Sequence, residues 1–403
     1  MKTLNVKLET IADLMQKKSL DSNFVSSIQE TVDFEEISEP ELINEDWVKI
    51  KVKLGGICGS DLHVLELNTS LSQSVFVSFP LILGHEIVGN VIEVGENVKG
   101  FSAGDNVIVE PLLHCKIRGV EPCQFCDNDN YHVCSNLDLG VLAPGQFIGS
   151  CKDTGGGWGE YIVAHESQIF KMPDSIPFET AVLTEPFSVA IHAVFKKLPE
   201  DSDIVVVVGC GTIGLTTIAA LKSFSKCKVI ATAKYPFQAD LARQLGADEV
   251  VMVKKDRHLK KIGKELGCRI LAPLMDDAYP VGSGADIVFD SVGNASSISD
   301  SLRLVKPRGT VVLIGMPAVQ TVDLSPMVIK EIEVIPSYTY SYEDFEGEKK
   351  RTFQIAIDLL AEKKVDLSML LTHKFTIDQY KSALSVASDK QHHDAIKVAF
   401  EYK

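Results

Sequence analysis

The alternation of apolar and polar residues changes character along this chain, and each change marks a different kind of structure. From about Val48 to Glu110 the pattern has a period of two. VKIKVKL alternates apolar with charged residues as a half-buried strand does, and GNVIEVGENVKGFSAGDNVIVEP interrupts short Val/Ile runs with Gly, Asn and Asp. An antiparallel, barrel-like β region is predicted there, followed by an irregular lobe from Cys115 to Cys134. From about Phe187 the runs become continuous. IVVVVG is apolar throughout, as a strand buried on both faces must be. It is followed by the helix-like TIGLTTIAALKSF, the strand KVIATA, the helix FQADLARQLGA closing at Gly246, the strand ADIVFDSVG, the helix SSISDSLRLV and the strand GTVVLIG. Strands alternating with helices imply a doubly wound parallel sheet. After about Pro336 the pattern is mixed: FQIAIDLLAEKK is an amphipathic helix with Phe353, Ile357 and Leu360 on one face, and AIKVAFEY ends the chain as a strand. The first 40 residues read as polar and carry no clear pattern. The expected organisation is therefore an α/β chain of three stretches: 1–188, with the cysteine lobe 115–134; 189–335; and 336–403, returning to the first domain.

The junction between IVVVV and the next helix carries G-x-G-x-x-G at Gly209, Gly211 and Gly214. Alone the motif is weak, but directly between a strand and a helix it is the fingerprint of a dinucleotide site. Gly209 permits the tight turn, Gly211 leaves room for a pyrophosphate to approach the backbone, and Gly214 lets the helix pack on the strand. Thr212 and Ile213 then open a helix whose free N–H groups and partial positive charge face the phosphates. An acidic residue at the end of the second strand would bond the ribose 2′-hydroxyl of NAD. Counting back from Gly246 puts Ala233 at that position, with Lys234 next. The missing carboxylate and the adjacent cation favour NADP over NAD; the alternative is a solvated Lys234 and an enzyme that takes either.

Charge narrows the classes. The chain of 403 residues has 55 Asp+Glu against 40 Lys+Arg, which argues against nucleic acid and anionic membranes as partners. The opening MKTLNVKLETIADLMQKKSL has no apolar signal-peptide core, and no apolar run is long enough to span a bilayer, so the expected location is the cytoplasm. Four of the nine cysteines, Cys115, Cys123, Cys126 and Cys134, fall close together, which in a cytosolic chain reads as metal binding before disulfides. Cys151, Cys210, Cys227 and Cys268 have no partner pattern and read as small core residues or inert thiols. Two further segments carry good zinc ligands: GGICGSDLH, with Cys58, Ser60, Asp61 and His63, and LGHE, with His85 and Glu86. A catalytic zinc takes three protein ligands and keeps one position open; Cys58 and His85 supply two.

These motifs, together with LGHEIVG, GDNVIVEP, LTEPFSVAIHAV and VVVVGCGTIGL in one consistent order from about Pro40 onward, resemble the zinc-containing medium-chain dehydrogenases/reductases. The resemblance implies a GroES-like catalytic domain and a Rossmann domain. It implies that Cys58 and His85 are catalytic zinc ligands, with Glu86 as the acidic neighbour that can approach the metal. Glu185 falls where the alcohol dehydrogenases of the family place a second cysteine; the sorbitol- and threonine-dehydrogenase-like branch has Glu in this slot, and whether Glu185 or Glu86 is the third ligand stays open. Ser60 matches the relay hydroxyl that passes the alcohol proton on, His63 the next relay member, and Asp61 an acid that orients a ligand histidine or caps a helix. The cysteine lobe reads C-x7-C-x2-C-x7-C against the family's C-x2-C-x2-C-x7-C for structural zinc, the difference being an insertion, KIRGVEP. Homodimers or homotetramers are usual in the family. Trp158 is placed either near the substrate cleft or in a packed core, while Tyr338 and Tyr340 have no assignment.

The expected activity is hydride transfer between NAD(P) and the carbinol carbon of a small secondary alcohol, polyol, sugar or amino alcohol. Two other readings compete. A zinc-free quinone or enone reductase would lack the Cys and His ligands that this chain has, and a non-catalytic dinucleotide-binding scaffold would bind cofactor without turnover.

Overall fold

The computed structural model describes residues 1–20, 28–254, 257–274 and 278–403. Two compact units emerge. One comprises Met1–Glu185, Lys349–Ala361 and Leu370–Lys403, the other Pro186–Glu348 and Glu362–Met369. The chain thus leaves the first unit inside the helix Thr184–Lys196 and returns at Lys349. Residues 336–348, at the head of the tail expected to return, group with the second unit.

The first unit is built on a seven-stranded sheet. Its spine is Trp47–Ile57, whose inward residues Val48, Ile50, Val52 and Leu54 are buried as the alternation requires. Ile87–Val94 pairs antiparallel with one edge of this strand. The C-terminal strand Lys397–Glu401 takes one part of the other edge and Tyr161–His165 the remaining part. Lys397–Glu401 puts Val398 opposite Ile57 and Phe400 opposite Gly55. This register places Lys397 at the end of the spine, next to the turn that carries Cys58.

The N-terminal stretch, which the sequence pattern left unread, is ordered by long-range pairing. Lys2–Val6 pairs antiparallel with both Asp33–Glu36 and Leu81–Ile82, and a helix, Leu8–Leu20, intervenes. Leu4 and Val6 are wholly buried. Five residues are too few to show periodicity by themselves, and their partners lie about 30 and 80 positions away along the chain.

The second unit is a six-stranded, all-parallel sheet in the spatial order Glu249–Met252, Lys228–Ala233, Ile204–Val208, Ala285–Asp290, Val305–Leu313, Glu333–Pro336. The sequence order reverses between Ile204–Val208 and Ala285–Asp290. In doubly wound sheets ligands bind at such a reversal, beyond the carboxyl ends of the strands. The helices Thr212–Phe224 and Ala295–Leu304 fall within a residue of the expected positions. A hairpin, Tyr342–Phe345 with Glu348–Arg351, was not legible in the sequence. Its first strand anchors through Glu343, which meets His192 Nδ1 at 2.5 Å, and through Phe345, whose ring lies edge-on to Phe195 and Phe224.

Candidate active site

The turn after Ile204–Val208 is shaped by its glycines, each for a different reason. Gly209 has φ of +92°, and a Cβ there would lie 2.4 Å from Val292 Cγ2. At Gly214 a Cβ would lie 2.0 Å from the Gly209 carbonyl oxygen, so helix and strand could not approach as they do. Gly211 is the opposite case: nothing lies within 4 Å of a Cβ built on it. Folding does not require glycine at that position, and the open space lies at the N-cap of the 13-residue helix Thr212–Phe224, where a pyrophosphate fits. Thr212 and Ile213 form the first turn. The facing loop is fixed by Asp290, wholly buried, whose Oδ1 accepts from Val292 N and Gly293 N at 2.9 Å each. Thr232 Oγ1 accepts from Gly209 N at 2.9 Å, tying the glycine turn to the second strand. That strand ends at buried Ala233. Lys234 is exposed, with its ammonium 5.2 Å from the Tyr235 ring centroid, and Tyr235 stacks on Phe237.

In the first unit Cys58 sits at the N-cap of the short helix Gly59–Leu65. Asp61, 3% exposed, serves both ends of this turn. Its Oδ2 accepts from Cys58 N at 2.9 Å, and its Oδ1 lies 3.5 Å from His85 Nδ1. Asp61 thus caps the Cys58 turn with one carboxylate oxygen and sets the other beside His85. Burial pushes the His85 imidazole toward neutrality, but the Asp61 carboxylate and Cys58 more than offset it and raise its pKa well above the usual histidine range. Ser60 and His63 are exposed and three residues apart, hence on one face of the helix.

Glu86 is wholly buried. Its Oε1 receives the Lys397 ammonium at 2.5 Å, while its Oε2 is buried without a hydrogen-bond partner among the described residues and packs where a Gly56 side chain would otherwise be, 1.9 Å from that Cβ position. Lys397 also donates to Ile57 O at 3.2 Å. Burial lowers the Lys397 pKa, but Glu86, Cys58 and Glu185 together outweigh this and raise it. Glu185, 7% exposed, lies in the first turn of Thr184–Lys196. Glu86, Cys58 and Glu185 thus all act on the Lys397 ammonium, and Cys58 acts on His85 as well, so residues spread over 128 positions of sequence share one neighbourhood of the first unit. Lys397 went unread in the sequence because an apolar C-terminal strand gives no sign of what its one inward cation faces.

The second cluster is tighter. The sulfurs of Cys115, Cys123, Cys126 and Cys134 all lie within 4.8 Å of one another, and Cys115 and Cys134 are 3.5 Å apart. A tetrahedral zinc with Zn–S of about 2.3 Å holds its sulfurs about 3.8 Å apart, so four thiolates in this arrangement fit one ion. Among the described residues no other group of three or more potential ligands is drawn together this closely. The Cys134 thiol is held down at about 5 by its hydrogen bond from Cys126 and by backbone N–H donation from Asn136. Burial works against ionisation of Cys123, yet hydrogen bonds from Ser135 and nearby backbone N–H groups bring it to about 7. Within the cluster Cys126 is raised by its hydrogen bond to Cys134 and Cys115 by burial; outside it, burial alone pushes Cys210 up to about 12 and also raises Cys151, Cys227 and Cys268.

Trp158 belongs to the core: it is wholly buried, its Nε1 donates to Gly56 O at 3.3 Å, and its ring meets Phe400 edge-on. Tyr340 is likewise fully buried and Tyr338 half-buried. Phe147, unread in the sequence, lies with its ring centroid 5.0 Å from that of His85.

Comparison with known proteins follows the same division. The family described as alcohol dehydrogenase GroES-like domain matches residues 44–174, and that described as zinc-binding dehydrogenase matches residues 212–362. The chain is 31% identical to L-threonine 3-dehydrogenase of Pyrococcus horikoshii, over 84% of this chain and 87% of that protein. It is 30% identical to sorbitol dehydrogenase of Arabidopsis thaliana, over 88% of each. Among solved structures, 2R,3R-butanediol dehydrogenase of Bacillus subtilis superposes with a TM-score of 0.73 at 25% identity, covering all of both chains.

Proposed function

Because this chain belongs to the zinc-containing medium-chain dehydrogenase family, whose members are NAD(P)-linked alcohol and polyol dehydrogenases, we propose that Cys58, His85 and Glu185 hold its catalytic zinc and that Cys115, Cys123, Cys126 and Cys134 hold a second, structural one. The observation that supports the first site is the linkage of its parts: Asp61 joins the Cys58 turn to His85, the adjacent Glu86 pairs with Lys397, and Cys58 and Glu185 both act on that lysine. With one Glu86 oxygen paired to the Lys397 ammonium, Glu185 is the third ligand in this reading and Glu86 a nearby balancing charge. Zinc bound there supplies Lewis acidity, which makes an alcohol oxygen acidic enough to lose its proton near neutral pH.

The chain's own residues do the rest. Asp61 fixes the Cys58 turn and faces His85 Nδ1, orienting the imidazole. Ser60 accepts the alcohol proton and His63, on the same helix face, passes it to solvent. In the second unit Gly209, Gly211, Thr212, Ile213 and Gly214 receive the pyrophosphate, with Ala233 and Lys234 beside the adenosine ribose. The absence of a carboxylate at Ala233 and the exposed ammonium of Lys234 favour NADP. The substrate class, by analogy with relatives named for sorbitol, L-idonate and L-threonine, is a secondary alcohol of a polyol, sugar acid or amino acid. Self-association is supported by the open edge of Glu333–Pro336, flanked by exposed Val328, Ile329 and Val334. No described helix is long and apolar enough to cross a membrane; a cytoplasmic location is part of the proposal.

The test is a screen of secondary alcohols, polyols and amino alcohols with NAD and NADP in parallel, with and without a chelator. Turnover lost with chelator and in Cys58→Ala, with NADP preferred and that preference reduced in Lys234→Ala, is the expected result. Turnover indifferent to metal removal overturns the reading.

A further inference from the structure

The seven residues that part Cys115 from Cys123, KIRGVEP, are where this chain departs from the zinc-lobe spacing its other cysteines follow. They bring in Arg118, whose side chain is entirely buried. Among the described residues no carboxylate forms an ion pair with it. Its five N–H donors go to five backbone carbonyls: Nε to Leu113 (3.1 Å), Nη1 to Leu139 (3.0 Å) and Leu142 (3.1 Å), Nη2 to Ala143 (3.1 Å) and Gly145 (2.6 Å). Every donor the guanidinium possesses is used. The backbone is interlocked as well. Val141 N donates to Arg118 O at 3.1 Å, and Gly140, at φ of +83°, has no room for a Cβ, which would lie 2.0 Å from that oxygen.

The clamped loop contains no helix or strand, and Leu139 and Val141 are exposed. Besides the guanidinium it is held by Ala143 N donating to Asp153 Oδ2 at 2.6 Å, by Gly145 N donating to Leu137 O at 3.1 Å, and by buried Leu142. Yet it leads directly into the site. Two residues after Gly145, Phe147 sets its ring 5.0 Å from His85. Leu113 N donates to Gln146 O at 2.8 Å, so both ends of the insertion's reach meet at the base of this phenylalanine.

We propose that Arg118 is a positioning residue: by gathering the carbonyls of residues 139–145 it fixes the loop that presents Phe147 to His85, and so ties the wall of the candidate catalytic site to the insertion in the four-cysteine lobe. The functional part rests on the proposal above that His85 is a zinc ligand. A planar fork of five donors suits this task and lysine does not replace it, since an ammonium has three donors and cannot reach both halves of the loop. Each buried carbonyl left without a donor favours local opening of the loop.

The experiment uses the full-length, zinc-loaded protein as wild type, Arg118→Met and Arg118→Lys. Amide hydrogen exchange is read by peptide, and binding of 1,10-phenanthroline, a probe for a zinc with an open position, is read by absorbance. In Arg118→Met, exchange over 139–147 and at the peptide containing Gly84–Glu86 is expected to speed up about tenfold or more, with peptides over 204–233 unchanged. Phenanthroline affinity is expected to shift about threefold or more by the same loosening. Arg118→Lys falls between. If Arg118→Met does not accumulate folded, Gly140→Ala, which pries the same contact, is read in its place. Wild-type exchange at 84–86 and 139–147 in a folded variant overturns the proposal. A wild-type protein that binds no phenanthroline overturns the metal-site reading instead, and the exchange data still decide whether Arg118 holds the loop to His85.

Discussion

Lys397 and Glu86 form a buried ion pair, 2.5 Å from Nζ to Oε1 with both side chains at most 3% exposed, joining the last strand of the chain to the turn that carries His85. Removing one member of such a pair leaves the other charged and unsolvated. Lys397→Met is expected to cost about 3–5 kcal/mol of stability, measured by denaturant unfolding. Lys397→Arg, which keeps the charge, is expected to recover most of it. A Met variant as stable as the wild type shows that Glu86 is not held by this contact.

The glycines of the nucleotide turn separate folding from binding. Gly214→Ala puts a Cβ into the Gly209 carbonyl and is expected to destabilise the second unit by about 1–3 kcal/mol, seen as a lower Tm. Gly211→Ala meets empty space, so its Tm is expected to stay within about 1 °C of wild type while affinity for NADP, read by fluorescence titration, falls about tenfold or more. Equal affinity in Gly211→Ala places the pyrophosphate elsewhere.

His165 makes stability depend on mild acid. Burial holds its pKa below the usual histidine value, and its Nδ1 accepts the Ser167 N–H at 3.1 Å, a bond that protonation abolishes. A folded pKa below the unfolded one means that the unfolded chain takes up the proton first. The contribution is complete above about pH 6.5 and declines as pH falls below that toward the folded value, with a slope of at most about 1.4 kcal/mol per pH unit. His165→Asn, which keeps an acceptor but does not titrate, is expected to flatten Tm against pH between 7 and 5. An unchanged slope assigns the acid sensitivity to other groups.

Under the proposed zinc assignment, the four-cysteine cluster contributes to stability through its ion. Cys126→Ser, or prolonged chelation, is expected to release about one zinc per chain and to increase proteolytic cleavage within 115–145. Loss of zinc with no change in cleavage limits the ion to a passive role.

Much of this protein is local and therefore legible in its sequence. The runs IVVVV and KVIATA are strands because they are apolar enough to be covered on both faces, and Gly209 and Gly214 follow because a strand turning tightly into a helix leaves no room there for side chains. The closeness of Cys123, Cys126 and Cys134 in sequence alone brings three sulfurs together. What no local pattern contains is the set of partners that meet only when distant strands pair. The register of Lys397–Glu401 against Trp47–Ile57 delivers Lys397 to Glu86, the pairing of Lys2–Val6 with Leu81–Ile82 orders a stretch that reads as featureless, and the fold of 139–147 onto Arg118 brings Phe147 to His85. Such contacts depend on which segments share a sheet edge or a buried guanidinium, and a single sequence records the residues but not the distances that folding closes between them.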